Sequence, residues 1–315
     1  MGVGISAVIP CKDRPRLLDR ALESISRQTI LPDEVILVDD GSEPPITVPT
    51  RYPVPLRIVR QDNRGPAAAR NRGVAEASGE WIALLDSDDT WVPEKTQYQL
   101  RLLSQHPHAG FCISNMTTHG RPAVEFPLAP ESGAVDGIIR DAVERLLPGR
   151  FISSSGVMFR RDAFYRVGGF DERLWFCEDY DLWVRLAAVT PVVATTSCLN
   201  DVFREGDNLS DFENDPSAGE VIASIFRKLM VWPLFEPHVR RQAAAILGQK
   251  LFDLAYTYRK SGRPLACCWA TTRSLANQGP LRANLKNLVL CWPDLLLQTY
   301  ARATSRRARW RATAQ

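Results

Sequence analysis

Asp86, Ser87, Asp88 and Asp89 follow directly on the apolar run 81–85. Alternate residues at a strand end can turn two carboxylates toward one point. Hard oxygen ligands of that kind suit Mg²⁺ or Mn²⁺, and such an ion bridges phosphates and neutralises the charge on a departing diphosphate. The same residues also make an acidic turn, with Asp89 or Thr90 capping the next helix. Asp39 and Asp40, before Gly41 and Ser42, repeat the arrangement at the end of the run 35–38. An Asp there can accept hydrogen bonds from a ribose or a base, or simply form a turn. Asn63, Arg64, Gly65 and Pro66 open a helix that carries Arg70. A helix N-terminus with a nearby Arg attracts a diphosphate. Glu178 and Asp179 follow the apolar run 174–176. A carboxylate against apolar surface can hold a raised pKa, which suits a general base, and the pair can equally cap the helix it opens. Arg204 precedes an acidic, turn-rich stretch and could close over a diphosphate or lie on the surface as a solvated cation. The four histidines, at 106, 108, 119 and 238, have no metal-like spacing and read as structural.

These residues need a scaffold, and the first part of the chain supplies the pattern of one. Apolar runs at 5–9, 35–38, 56–60, 81–85 and 110–114 read as strands. Helical periodicity falls between them, at 17–25, 65–77 and 93–104, and returns at 179–188. Strands alternating with helices predict an α/β fold, a mostly parallel sheet flanked by helices. Ligands in such sheets sit beyond the carboxyl ends of the strands, where both acidic clusters fall. The stretch 115–150 is rich in Pro and Gly and reads as a loop with a short helix near 138–146, and 155–159 is β-like. The C-terminal hundred residues are predominantly helical, so the expected division is 1–214 and 215–315.

The chain has 315 residues, 45% hydrophobic and 24% charged, enough to bury a substantial core. A formal net charge of +3 is too small to argue for a nucleic-acid partner. The seven cysteines contain no Cys-x-x-Cys pair, which suits buried thiols in a reducing, cytoplasmic compartment. No signal peptide is evident, and no apolar run approaches a membrane span. From Leu281 onward there are six Arg, one Lys and a single acid, and Arg306, Arg307, Arg309 and Arg311 surround Trp310. Arg interleaved with Trp suits peripheral contact with an anionic membrane; the alternative is a helical subdomain with a solvated tail.

In their order along the chain, these pieces resemble the family-2 glycosyltransferases of the GT-A fold. The matching stretches are 7–10, 34–42, 63–73, 79–89, 168–172 and 178–183. The resemblance covers roughly residues 4–210 and implies a GT-A-like catalytic domain followed by a helical C-terminal region. It implies transfer of a single sugar, with inversion, from a nucleotide-sugar donor to a glycan or lipid-linked acceptor, in polysaccharide or glycolipid assembly. UDP is the favoured carrier, and Mn²⁺ or Mg²⁺ the expected cofactor. Pro10, Asp39 and Asp40 would line the nucleoside site, and Gly65 and Arg70 would hold base or diphosphate. Asp86 would contact ribose or metal, Asp88 would be the principal metal ligand, and Asp179 would be the general base with Glu178 orienting the site. Two departures bear on this. Cys11, Lys12, Asp13 and Arg14 replace the usual small residue, aromatic and Asn, so Lys12 is a candidate for phosphate contact. No Gln-x-x-Arg-Trp motif of processive synthases is present. A sugar nucleotidyltransferase would instead show a Gly-rich loop after the first strand. A non-catalytic nucleotide-sugar-binding protein would be expected to have lost Asp88 or Asp179.

Overall fold

The computed structural model describes residues 4–48, 51–120, 134–149, 152–203 and 216–288. In chain order the elements begin β1 (Ile5–Cys11), α1 (Pro15–Ser26), β2 (Glu34–Asp40), β3 (Leu56–Gln61), α2 (Pro66–Glu76) and β4 (Trp81–Leu84). They continue β5 (Thr90–Trp91), α3 (Lys95–Gln105), β6 (Phe111–His119), β7 (Asp136–Ile139), α4 (Ala142–Leu146) and β8 (Val157–Arg160). Then come α5 (Arg161–Arg166), α6 (Glu178–Ala187), β9 (Val192–Phe203), α7 (Pro216–Met230), α8 (Pro237–Lys260) and α9 (Pro264–Ala276). By contact, the chain divides into two compact units, Met1–Asn208 and Leu209–Gln315.

The first unit is built on one sheet, ordered β3-β2-β1-β4-β8-β6-β9-β5, with β7 also on β9. β3, β2, β1 and β4 run parallel, as alternating strands and helices require. Beyond β4 the sheet is mixed: β8 is antiparallel to both β4 and β6, and β9 is parallel to β6 but antiparallel to β5 and β7. Both faces are covered. Ile5, Ala7 and Ile9 of β1 pack with Leu18, Leu22 and Ile25 of α1 and Leu102 of α3. Val8 and Val38 point the other way, onto α2. That alternation is why β1 reads as a continuous apolar run rather than an alternating one.

The α2 contact depends on Gly73. A Cβ built there would lie 2.3 Å from Val8 Cγ1 and 3.3 Å from Val38 Cγ2. Gly73→Ala is therefore expected to destabilise by about 1–3 kcal/mol through overpacking of a β-branched neighbour. Urea unfolding would measure it; a change within error would show that the helix can lift off freely.

Three stretches differ from the sequence expectation. Residues 136–139 are a strand on β9, and only 142–146 are helical, because Ile138 and Ile139 pair with Val193 and Val192. β9 itself, twelve residues long, carries Thr195, Thr196, Ser197, Asn200 and Asp201, which blur its apolar pattern. Its partners on both sides make it a strand nonetheless. Asp89 does not cap the next helix. α3 starts at Lys95 with no side-chain cap, and Asp89 instead accepts a hydrogen bond from Ser155 Oγ at 2.6 Å.

In the second unit, α7, α8 and α9 pack through Phe226, Leu229, Ala243, Leu247, Leu251, Leu254, Cys267 and Ala270, all buried. α8 and α9 have Pro in the first turn, where its missing N–H costs nothing. No helix among the described residues is long and apolar enough to cross a membrane.

Candidate active site

The carboxyl ends of β1, β2 and β4 and the start of α6 bring most of the expected residues into polar clusters at one end of the sheet. At the end of β2, successive side chains face opposite ways, so Asp39 and Asp40 have separate tasks. Asp39, fully buried, accepts from the Ser42 N–H at 2.8 Å, the Ile46 N–H at 3.2 Å and the Arg60 guanidinium. Burial works to raise its pKa, but these donors outweigh it and hold the carboxyl below its ordinary value. Asp40 accepts from Gln61 Nε2 and from the N–H groups of Arg64 and Gly65, each at 2.8 Å. It thereby shapes the entry to α2, whose preceding residue Gly65 has φ of +86°, a conformation glycine adopts without strain.

Pro10, one residue before the end of β1, pairs with Val38, and Cys11 with Asp39. Lys12 follows on the exposed side. With the Asn63 amide oriented to satisfy both its groups, Lys12 Nζ donates to it at 2.7 Å and its nitrogen donates to Asp40 at 3.0 Å. Asp13, with φ of +53°, ties this loop to the one after β2: its N–H donates to Ser42 Oγ, and its carboxylate accepts from the Glu43 N–H. Pro10, Lys12, Asp39, Asp40 and Gly65 thus form one cluster along the loops after β1, β2 and β3.

A second cluster centres on Arg70. Its terminal nitrogens reach Asp86 Oδ1 and Glu178 Oε1, both at 2.7 Å, and it lies over the Phe170 ring at 5.5 Å. Only 5% of Arg70 is exposed, so the bridge is a desolvated ion triad rather than a surface pair. Both terminal nitrogens are engaged by carboxylates, so Arg70 is their counter-ion in this structure. Burial disfavours its charge, and the two carboxylates overcome that.

α6 begins at Glu178 after Cys177, which sits in the left-handed region at φ of +57°. Neither acid caps the helix through the residue before it. Asp179 accepts from the Tyr180 N–H at 2.6 Å, and acids in this first turn gain from the helix dipole. Asp179 is nevertheless pushed up to about 7, chiefly by burial, with the charges of Glu178 and Asp86 adding and Arg70 opposing. A carboxyl titrating there can accept a proton near neutral pH.

The acidic turn itself is pinned from below. Ser155 Oγ accepts from the Asp86 N–H at 3.1 Å and donates to Asp89, and the Asp89 N–H closes the turn on the Asp86 carbonyl. Asp88, partly buried, is paired with Arg14 Nη1 at 2.6 Å, while Arg20 holds its carbonyl at 2.7 Å and covers the Phe203 ring. Burial, and then the charge of Asp86, raise the Asp88 pKa against the pull of Arg14. Arg204 lies outside the described residues.

A family model described as glycosyl transferase family 2 matches residues 6–168. The chain belongs to glycosyl transferase family 2. An uncharacterised glycosyltransferase of Haemophilus influenzae is 29% identical over 187 residues, covering 58% of this chain and 61% of its own length. The glycosyltransferase YwdF of Bacillus subtilis is 31% identical over 214 residues, covering 65% of this chain and 77% of its own. The amylovoran biosynthesis glycosyltransferase AmsE of Erwinia amylovora is 29% identical over 212 residues, covering 65% and 75%. The fold is that of S. aureus TarS: the structure of its residues 1–349 in complex with UDP-GlcNAc superposes with a TM-score of 0.65 at 18% identity, over 87% of this chain and 89% of that one.

For a family-2 glycosyltransferase the nucleotidyltransferase alternative falls away. The sequence reading missed Ser155, Arg14 and Arg20 as partners of the acidic turn. Arg14 stood within the departing 11–14 segment, a usable signal. Ser155, in a β-like stretch, carried none.

Proposed function

We propose that the chain transfers a single sugar from a nucleotide-sugar donor, UDP-linked in the favoured reading, to an acceptor hydroxyl with inversion at the anomeric carbon. The observation that carries this is Asp179. Its carboxyl, raised to about 7, stands across the Arg70 bridge from the acidic turn at Asp86 and Asp88. The first unit is the catalytic domain in this reading, and the TarS complex with UDP-GlcNAc supports a donor of that class.

The residues present fit a divalent cation. Asp86 and Asp88 are partly exposed carboxylates at one strand end, paired here with Arg70 and Arg14, and burial, with the charge of Asp86 adding, raises Asp88. Among the described residues no three His, Cys, Asp or Glu side chains form a metal-holding group, so the protein would supply these two oxygen ligands and the donor phosphates would complete the shell. Held by Asp86 and Asp88, Mg²⁺ or Mn²⁺ would supply positive charge against a departing diphosphate. Asp179 takes the proton from the acceptor hydroxyl as it attacks opposite the leaving group, which inverts the configuration. Glu178, held by Arg70, keeps the start of α6 in place. In this reading the loop 10–13 with Asp40 and Gly65 frames the nucleoside, and Lys12 turns from Asn63 to a phosphate.

The acceptor is a glycan or a lipid-linked saccharide; the name of the Erwinia relative, in amylovoran biosynthesis, supports polysaccharide assembly. A reducing compartment suits Cys11, Cys112 and Cys198, which are free thiols. Peripheral membrane contact through the basic tail belongs to this reading, and the tail lies outside the described residues.

Thermal unfolding with UDP-, dTDP- and GDP-sugars tests it. A cognate donor at a hundredfold excess over its Kd stabilises by about 2.7 kcal/mol with Mn²⁺ present. The gain vanishes with chelator or in Asp88→Asn. Equal stabilisation without metal would refute the metal assignment, and none with any donor would refute the function.

A further inference from the structure

The helical unit holds a second concentration of charge that sugar transfer does not use. Residues 216–288 carry eleven Lys and Arg against three Asp and Glu, a net of +8 in a chain whose total is +3. Two pairs of these cations converge on an aromatic ring: Arg259 and Lys260, neighbours in α8, on Tyr256, and a second pair drawn from different helices. Arg227 of α7 and Arg273 of α9 lie over the same indole, Trp269, at 5.7 and 4.5 Å from its ring centre. Together with Asn277 they line an open cavity of about 290 Å³ whose remaining wall is apolar: Met230, Leu247 and Leu251. Leu247 and Leu251 are buried core residues of α8, so the floor is fixed by helix packing.

Two guanidiniums facing one cavity repel each other, and among the described residues neither is salt-bridged to a carboxylate. Burial, and then the neighbouring Arg273, pull the Arg227 pKa below its ordinary value, with Glu220 opposing. The site therefore carries an unmet demand for negative charge, and planar forks of this kind meet phosphate oxygens bidentately. The apolar wall beside them accepts the organic part of a phosphate ester, and the surplus positive charge around it draws an anionic surface closer.

We propose that the cavity between α7, α8 and α9 binds the phosphate group of a phosphate ester, held by Arg227, Arg273 and Asn277 with its carbon portion against Met230, Leu247 and Leu251. The phosphate can come from a lipid headgroup or from a soluble ester, and the chemistry of recognition is the same. The site does not rest on the donor reading, since all its residues lie in the helical unit.

The test uses the full chain, with phosphatidylcholine vesicles doped with phosphatidic acid as one probe and glycerol 3-phosphate in solution as the other. Vesicle co-sedimentation reads the first, and the shift in unfolding temperature reads the second. Arg227→Gln/Arg273→Gln is expected to weaken both by about tenfold or more. Arg241→Gln/Arg282→Gln, which removes the same charge from exposed positions outside the cavity, should change them less than twofold. Tighter binding to the vesicles than to the soluble ester assigns a lipid; equal binding assigns a soluble ligand; either outcome sustains the site. Equal losses in the two variants would reduce the effect to diffuse charge and overturn the proposal, as would failure of the parent to bind either probe. Relieving the Arg–Arg repulsion should leave the unfolding temperature unchanged or higher. Should the double variant fail to fold, Arg227→Lys/Arg273→Lys keeps the charge without the forks, and unaltered binding there would overturn bidentate capture. Donor stabilisation with Mn²⁺, read on the same variants, separates a failure here from a failure of the transferase reading.

Discussion

Asp179→Asn is expected to lower kcat by about 10²–10⁴, the usual worth of a positioned general base, with donor affinity unchanged within about twofold. The substitution keeps shape and hydrogen bonding but cannot take a proton. Calorimetric titration of donor into the variant, beside its turnover rate, separates the two effects; turnover within tenfold of the parent would remove Asp179 from that role. The parent's kcat/KM should climb as pH rises through about 7, where Asp179 loses its proton, and the residual rate of the variant should lack that step. Stability runs the opposite way. The folded pKa is raised above the unfolded carboxyl's ~3.9, so the contribution is fully present below about pH 4 and lost as pH rises through about 7. Asp179→Asn, carrying no charge, should therefore gain on the parent in urea midpoint between about pH 4 and pH 7 and hold level above.

Arg70→Met is expected to be the most damaging single change to the first unit, costing roughly 3–5 kcal/mol. It strands Glu178, with a side chain 11% exposed, and Asp86 without a counter-ion, and removes the charge that opposes protonation of Asp179. Methionine fills the space over Phe170, so the loss reports charge rather than a cavity. Adding Glu178→Gln should return part of the stability, because one of the stranded charges is then gone. The activity that remains should show its pH rise shifted upward. A loss under about 1 kcal/mol would show that water reaches the triad and screens it.

Much of the scaffold was legible in residue order. Apolar runs of strand length predicted β1, β2 and β4, and the acids that follow two of them placed Asp39 and Asp40 at the carboxyl end of β2 and Asp86 and Asp88 just beyond that of β4. The helices α1, α2 and α6 followed from periodicity to within a residue or two, because burying one face imposes that spacing. β5 and β9 were not legible. Their polar residues break the alternation, and only pairing with β6 and β7 settles their conformation.

The acidic turn was visible from sequence as two carboxylates one residue apart, open both to a metal and to a helix cap. What removes the cap for Asp89 is Ser155, 66 residues away, whose hydroxyl donates to its carboxylate. Arg70 read as a cation for diphosphate, since its helix opening and charge are local facts. Its partners lie 16 and 108 residues distant, and burial between them turns it into the counter-ion of the site. The chemical types and their strand-end positions are thus properties of the sequence, because short-range sterics and hydrophobic period determine them. Which carboxylate titrates near 7, and which cation faces which acid, depend on desolvation and on charges brought together by the order of strands in the sheet, and those exist only once the chain has folded.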